Sequence, residues 1–449
     1  MSELKLHTPT GVSDILPDEC RAKKEIENSL WSVFASMGYE EIELPTYEYY
    51  DVFEGNGGQI SQENMFKFFD ENGRILTLRP DMTTATARIV ATKNINDPVP
   101  LRYCYTGNVF RVEKTEGARQ REFTQSGIEL IGIKGAKADA EVIAASIEAI
   151  LAVGIEEFQV EVGQVAFFNG LVEQAGLNSD DIEKLRERID CKDTVGIKSI
   201  TDKLDISENI KKLMIDLPYL FGGLEIFDKA YVDGLNETSK NALDNLKQIY
   251  NLLVAYGYEK YISLDLGMLQ SIDYYTGSIF KCFTYGVAFP ICAGGRYDNL
   301  ISRFGKDLCA VGVAFGINRL MSALRKSENK QDVYVPSATL VYAEEGAEAD
   351  AYDVAYTLRL QSCLVEMYID DGDHKTADKY AQETGKSAMI RVLPDGKLQM
   401  KDYLEEEIIE TTVKDFLDVY SGDLESHDHD CDCGHEHHHD HDCDCGCEH

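Results

Sequence analysis

The sequence predicts an α+β protein: a body of mixed strands and helices broken by a helical insertion, followed by a small α/β domain and a polar tail. Three observations lead there. Strand-like alternation and helical periodicity both occur within 1–177 and 259–324. The stretch 178–258 between them is charged and helix-like, as in Ser179–Ile189 and Asn236–Tyr250, with few strand signals. From 332 to 420, short apolar runs alternate with amphipathic segments, the pattern of a largely parallel sheet.

Composition removes several classes of function. A hydrophobic share of 44% is ordinary for a globular chain of 449 residues and supplies a core. No run reaches the roughly 18 apolar residues of a membrane span, so no membrane partner is expected. The start, Met1-Ser2-Glu3-Leu4-Lys5-Leu6, has no basic segment leading into an apolar one; no secretory signal is read, and a cytoplasmic location is expected. The net charge is −35, from 44 basic and 79 acidic residues. A phosphate backbone favours a basic surface, so nucleic acid is not expected as the main partner, although a local basic patch stays open. Seven of the twelve cysteines (Cys20, Cys104, Cys191, Cys282, Cys292, Cys309 and Cys363) are scattered without paired spacing. They read as reduced, part-buried fillers.

Along the body, helix-friendly residues from Asp18 to Ser36 stop at Met37-Gly38, and a strand Glu41–Leu44 runs into Pro45. Next, Thr77-Leu78-Arg79-Pro80-Asp81-Met82-Thr83 ends a strand at Pro80. Asp81 and Thr83 either cap a helix Thr84–Thr92 or hold an ammonium group. A strand-like approach, Leu101–Tyr105, then meets the polar loop carrying Arg111, Glu113, Arg119 and Arg121 and a second run, Phe123–Gly132. Alternate residues of a strand share a face, so Phe123, Gln125, Gly127 and Glu129 point one way. That face is either a polar pocket floor or the solvent side of an edge strand. The nearby arginines favour an anionic ligand group, because guanidinium binds carboxylate or phosphate through two parallel bonds. Asp273-Tyr274-Tyr275-Thr276-Gly277 supplies paired rings, and Gly294-Gly295 allows close backbone approach. Ala310–Leu320 is an apolar strand entering a helix that bears Arg319. An ordinary core strand is the competing reading for these last two.

After a polar linker at 325–331, strands are expected at Val333–Val335, Thr339–Tyr342, Leu364–Tyr368 and Ser387–Leu393, with helices at Ala349–Gln361 and Thr376–Thr384. The last 29 residues hold ten Asp or Glu, five Cys, eight His and no Lys or Arg. Such a segment cannot build a core and is expected to be disordered. Its His427, His429, Cys431, Cys433, His435, His437, His438, His439, His441, Cys443, Cys445, Cys447 and His449 are ligands suited to Zn or Ni. The alternating Cys-x-Cys and His-x-His spacing suggests an adaptable chelating tail rather than one rigid site. A low-complexity extension that binds metal incidentally is the alternative.

As a set and in this order, these motifs resemble the catalytic body of a class II aminoacyl-tRNA synthetase, most of all histidyl-tRNA synthetase, from about Leu6 to Leu324 and more weakly beyond. The resemblance implies an antiparallel sheet with flanking helices, dimerisation through the first helix–strand unit, and a C-terminal domain placed like an anticodon-binding domain. It implies that Asp81, Thr83 and Gln125 hold the α-amino and carboxylate groups of histidine, and that Glu129, Tyr274 and Tyr275 read the imidazole. Two departures matter. Where the synthetases carry Arg-Gly-Leu before Asp-Tyr-Tyr, this chain has Gln270-Ser271-Ile272. Losing that cation should cost adenylate formation roughly 3–4 kcal/mol, or about 100–1,000-fold in rate. Where they carry Glu-Gly-Thr, it has Asp81-Met82-Thr83.

Both departures are similar to the regulatory subunit of short-form ATP phosphoribosyltransferase, a synthetase paralogue of histidine biosynthesis. Its patterns match Leu78–Thr83, Tyr274–Gly277 and Gly294–Leu300. This resemblance implies no catalytic residue and no required cofactor, with L-histidine as effector. It implies a catalytic ATP phosphoribosyltransferase subunit as partner and a homodimer within a hetero-octamer. The histidine site would be Asp81, Thr83, Arg111, Gln125, Glu129, Gln270, Tyr274 and Tyr275, beside a vestigial ATP loop of Arg111, Glu113, Arg119, Arg121 and Arg319. Many members stop after the body, whereas this chain continues. Its stretch Lys326–Tyr420 holds ten basic and twenty-one acidic residues, a net of −11 that suits a retained fold without an RNA role. The alternative is a divergent histidyl-tRNA synthetase.

Overall fold

The computed structural model describes residues 6–54, 61–94, 96–112, 120–269, 275–326 and 338–422. It divides into two compact units, Met1–Lys330 and Gln331–His449.

The first unit opens with helix α1 (Pro17–Ser36), whose proline sits in the first turn together with Asp18 and Glu19. Ile26, Leu30 and Phe34 recur every four residues on its buried face, and the chain leaves the helix through Gly38 at φ +81°. The strand expected at Glu41–Leu44 is shorter: β1 is Glu40–Glu41. The chain turns away because Pro45 has no N–H to give a ladder, and the Leu44 and Pro45 carbonyls accept instead from the Arg79 guanidinium. A small antiparallel sheet follows, with β4 (Ile75–Leu78) between β2 (Tyr47–Tyr49) and β3 (Lys67–Phe69). Helix α2 (Thr83–Thr92) comes next.

The main sheet has nine strands. Beyond β1 they are β5 (Leu101–Phe110), β6 (Glu122–Ile131), β7 (Phe158–Gln164), β8 (Phe221–Gly222), β9 (Ile262–Asp265), β10 (Ser278–Thr284), β11 (Cys292–Tyr297) and β12 (Ala310–Gly316). Their order is β1-β5-β6-β12-β11-β10-β7-β9-β8, antiparallel from β5 through β7. One face carries Ile128, Leu130, Val311, Val313, Phe315 and Phe280, all buried in the main core. Helix α3 (Ala136–Ala152) lies on α1, and α10 (Ile317–Lys326) packs on α1 and β6.

The stretch 178–258 is mainly helical: α5 (Ser179–Asp190), α6 (Thr194–Thr201), α7 (Glu208–Asp216), α8 (Glu225–Ala230) and α9 (Glu237–Ala255) follow α4 (Val165–Gln174). Asn178, Asp193, Ser207 and Asn236 accept backbone N–H bonds at the starts of α5, α6, α7 and α9. These helices bury Leu185, Ile197, Leu213 and Leu246 in the same core as the sheet, and β8 extends the sheet's edge. The insertion is therefore part of one compact unit with the body.

In the second unit, β13 (Thr339–Ala343) lies between β14 (Val365–Met367) and β15 (Ala388–Val392), all parallel. Helices α11 (Glu348–Leu360) and α12 (His374–Glu383) connect them. The expectation of a largely parallel sheet needs correction. Strands β16 (Lys397–Asp402) and β17 (Ile408–Thr412) add an antiparallel pair before α13 (Val413–Gly422). The tight turn through Asp395 and Gly396, at φ +76°, leaves no room for the crossover that parallel pairing needs. The strand expected at Val333–Val335 lies outside the described residues. All seven body cysteines are free thiols; four are buried, but Cys20, Cys191 and Cys363 are exposed rather than filling a core. Among the described residues no helix is long and apolar enough to cross a membrane.

Candidate functional site

The face of the sheet opposite the main core is lined with small residues. In the register across β6, β12 and β11, Glu129 stands beside Gly312 and Gly295, Gly127 beside Ala314 and Ala293, and Gln125 beside Gly316. Large side chains would fill this face. Their absence leaves a cavity of about 580 Å³ whose wall includes Thr83, Arg111, Phe123, Gln125, Glu129, Tyr275, Tyr297 and Arg319. The face assignment made from strand alternation holds: Phe123, Gln125 and Glu129 all reach the cavity.

Glu129 is only 1% exposed. Its Oε1 accepts from the Tyr105 hydroxyl at 3.0 Å and its Oε2 from the Tyr297 hydroxyl at 2.6 Å. A Cβ on Gly312 would fall 1.7 Å from Oε2, so only glycine leaves space for this carboxylate. Burial pushes the Glu129 carboxyl up to about 7, and the hydroxyls of Tyr297, Thr83 and Tyr105 pull the other way. At neutral pH the group is poised between carboxylate and acid. It can accept from an N–H or share its own proton with a base.

The cavity wall also carries Arg111, Arg319, Arg325 and Lys326, with Arg325 paired to Glu19 of the same wall at 2.6 Å, so cationic groups gather there in a strongly acidic chain. Arg111 Nε donates to the Pro80 carbonyl at 2.8 Å, and its guanidinium lies 5.3 Å from the Phe123 ring. Arg319 Nη1 donates to the Pro290 carbonyl at 2.7 Å, beside the Phe289 ring. Both cations are anchored by a backbone carbonyl and line the same cavity.

Other expected site residues are placed differently. Asp81 is buried, and its oxygens accept from the Thr84 amide at 2.7 Å and hydroxyl at 3.2 Å. It caps the first turn of α2, while Thr83 faces the cavity. Burial raises the Asp81 carboxyl, and the Thr84 bonds and Arg111 oppose that rise. Arg121 lies away from the cavity wall: its side-chain stem runs past Gly11, whose carbonyl accepts its backbone N–H at 2.7 Å. Glu113, Arg119, Gln270, Tyr274 and all the metal-ligand candidates of the tail lie outside the described residues. Among the described residues no group of three or more His, Cys, Asp or Glu is placed to hold a metal.

Sequence reasoning missed Tyr105 and Gly312 as parts of the site and gave Tyr297 no role. Tyr297 sits inside the Gly294–Leu300 motif, and Tyr105 closes the strand before the arginine loop, so both lay next to signals already read.

A largely antiparallel sheet with flanking helices, lined on one face by a cavity that holds a buried carboxyl and several arginines, is the architecture of a class II synthetase-like body. The histidyl-tRNA synthetase family model matches residues 11–320. Histidyl-tRNA synthetase from Nostoc sp. PCC 7120 shares the fold, with a TM-score of 0.72 at 21% identity over 93% of this chain and 99% of that one. Within that class, the chain belongs to the family of ATP phosphoribosyltransferase regulatory subunits. It is 44% identical over 417 residues to the subunit of Acetivibrio thermocellus, covering 93% of this chain and 100% of the relative. The subunit of Ruminiclostridium cellulolyticum is 42% identical, covering 93% and 99%. A crystal structure from Bacillus halodurans, described as an ATP phosphoribosyltransferase regulatory subunit/histidyl-tRNA synthetase, has a TM-score of 0.76 and 32% identity over 86% of this chain and 98% of that one. The role is thus regulatory rather than catalytic, in histidine biosynthesis. Most of the C-terminal unit, which set this chain apart from shorter members, is shared with the Acetivibrio relative, because that match leaves only 7% of this chain uncovered.

Proposed function

We propose that this regulatory subunit binds free L-histidine in the Glu129 cavity and thereby reports the end product to a catalytic ATP phosphoribosyltransferase subunit, as a homodimer within a cytoplasmic hetero-octamer. The observation that carries the reading is Glu129 itself: a buried carboxylate beside a cavity, pushed up to about 7, close to the ordinary imidazole range. An imidazole N–H finds an acceptor there, and one proton can be shared between ring and carboxyl. Thr83, Gln125 and Arg111 supply polar and cationic partners for an amino-acid backbone. Gln270, in place of a cation, supports binding without activation.

Titration calorimetry of the full chain with L-histidine should give saturable binding, weakened at least about tenfold by Glu129→Gln, as expected when a charge-assisted hydrogen bond is lost. Affinity should peak near pH 7. Below that, a cationic ring faces a protonated acid; above it, the ring loses its charge. Histidine-dependent exchange of pyrophosphate into ATP should be absent, and robust exchange would establish the divergent synthetase instead. The tail, by its thiols and imidazoles, would bind Zn or Ni. Equal zinc uptake by the full chain and by a chain ending at Tyr420 would remove that role.

A further inference from the structure

We infer that Tyr105 is a positioning residue that sets the specificity of the cavity: its phenol pins Glu129 so that the remaining acceptor capacity of the carboxylate is held for a ring N–H donor. The inference deepens the histidine reading and rests on it for the identity of the ligand. Tyr105 is 1% exposed and is absent from the cavity wall, so it acts on a ligand only through Glu129. A carboxylate offers about four acceptor positions. Tyr105 takes one at 3.0 Å and Tyr297 takes one at 2.6 Å, which fixes the plane and direction of the carboxylate and leaves acceptor capacity unused. The slot for the Tyr105 ring is itself built: a Cβ on its cross-strand partner Gly127 would come within 2.8 Å of the phenol oxygen.

The groups that act on Glu129 are Tyr105 from β5, Tyr297 from β11, Thr83 with the carboxyl of Asp81 from the start of α2, and the phenol of Tyr39 beyond α1. The hydroxyls of Tyr105, Tyr297 and Thr83 favour its ionised form, and Asp81 opposes it. Removing the Tyr105 hydroxyl therefore moves the Glu129 midpoint upward.

The test is Tyr105→Phe in the full chain. At pH 7 it should bind L-histidine about tenfold more weakly, and the alkaline limb of the affinity profile, which follows the higher of the two midpoints, should move to higher pH. Tyr258→Phe, which removes a half-buried phenol bonded to Glu148 instead, should leave the profile unchanged. A folded Tyr105→Phe protein with wild-type affinity and profile would overturn the inference. A second measurement needs no ligand. Difference infrared titration of the ligand-free protein against Glu129→Gln reports the Glu129 midpoint directly. It should rise in Tyr105→Phe and fall when residue 105 is replaced by 3-fluorotyrosine, a stronger donor of nearly the same shape that spares the fold. An unmoved midpoint in both sinks the role of Tyr105. Failure of histidine to bind the wild-type chain, with the midpoint still moving, sinks the ligand and keeps Tyr105.

Discussion

Glu129 is held where water cannot solvate its charge, so the folded protein retains a proton there that the unfolded chain gives up. With the folded carboxyl near 7 and the ordinary value at 4.5, the folded state binds more protons between those limits. Stability conferred through this group is therefore fully present below about 4.5, falls as pH rises to about 7, and is flat beyond. The loss is of order 3 kcal/mol. Urea unfolding of wild type and Glu129→Gln at pH 5, 6, 7 and 8 checks this. The stability difference should shift steadily in favour of the glutamine variant up to about pH 7 and then stop changing; a difference independent of pH refutes it. At this scale the sequence was partly legible. Gln125 and Glu129 could be read because a period of two put them on one face. Tyr105 and Tyr297 could not, since they meet Glu129 across sequence separations of 24 and 168 residues, which only strand pairing brings together. The cap at Asp81 was open to either reading until both its oxygens were seen on Thr84.

Between elements, the main fixture behind the cavity is an ion pair. Arg296 of β11 and Asp139 of α3 are both almost fully buried, with Nε 2.8 Å from Oδ1. The guanidinium also donates to the Ile133 carbonyl at 3.1 Å, so one side chain ties the strand under the cavity to the helix behind it. Breaking such a pair strands a buried charge. Arg296→Ala should cost about 3–5 kcal/mol, and the double change Arg296→Met with Asp139→Leu should recover part of that, because neither charge then remains. Thermal or urea unfolding of the three proteins decides it; a double variant less stable than the single one would mean that the pair is worth more than its desolvation. Elements with a long period were legible: α1, α2, α11 and the β5–β6 hairpin fall within a few residues of their expected places. The sheet of β2, β3 and β4 was not, because strands of three or four residues are too short for alternation to register. The β15–β16 hairpin went unread although Asp395-Gly396 is a turn signal.

For the whole molecule, a regulatory role places a thermodynamic condition on the cavity. Histidine can change the state of an assembly only if it binds one state better than another; equal affinity shifts nothing. The helical insertion shares its core with the sheet that carries Glu129, so the ligand site and a large outer surface belong to one rigidly packed unit. Linkage then demands reciprocity. If the catalytic subunit changes histidine affinity by some factor, saturating histidine must change the affinity of the two subunits for each other by that same factor, about 5–150-fold for typical couplings. Four constants test this: histidine binding to the free and the assembled subunit, and subunit association without and with histidine. Two equal factors that differ from one, both abolished by Glu129→Gln, would establish the cavity as the regulatory site. Two factors of one would leave histidine bound without consequence. Unequal factors would mean that a second histidine site, on the catalytic partner, contributes to the response.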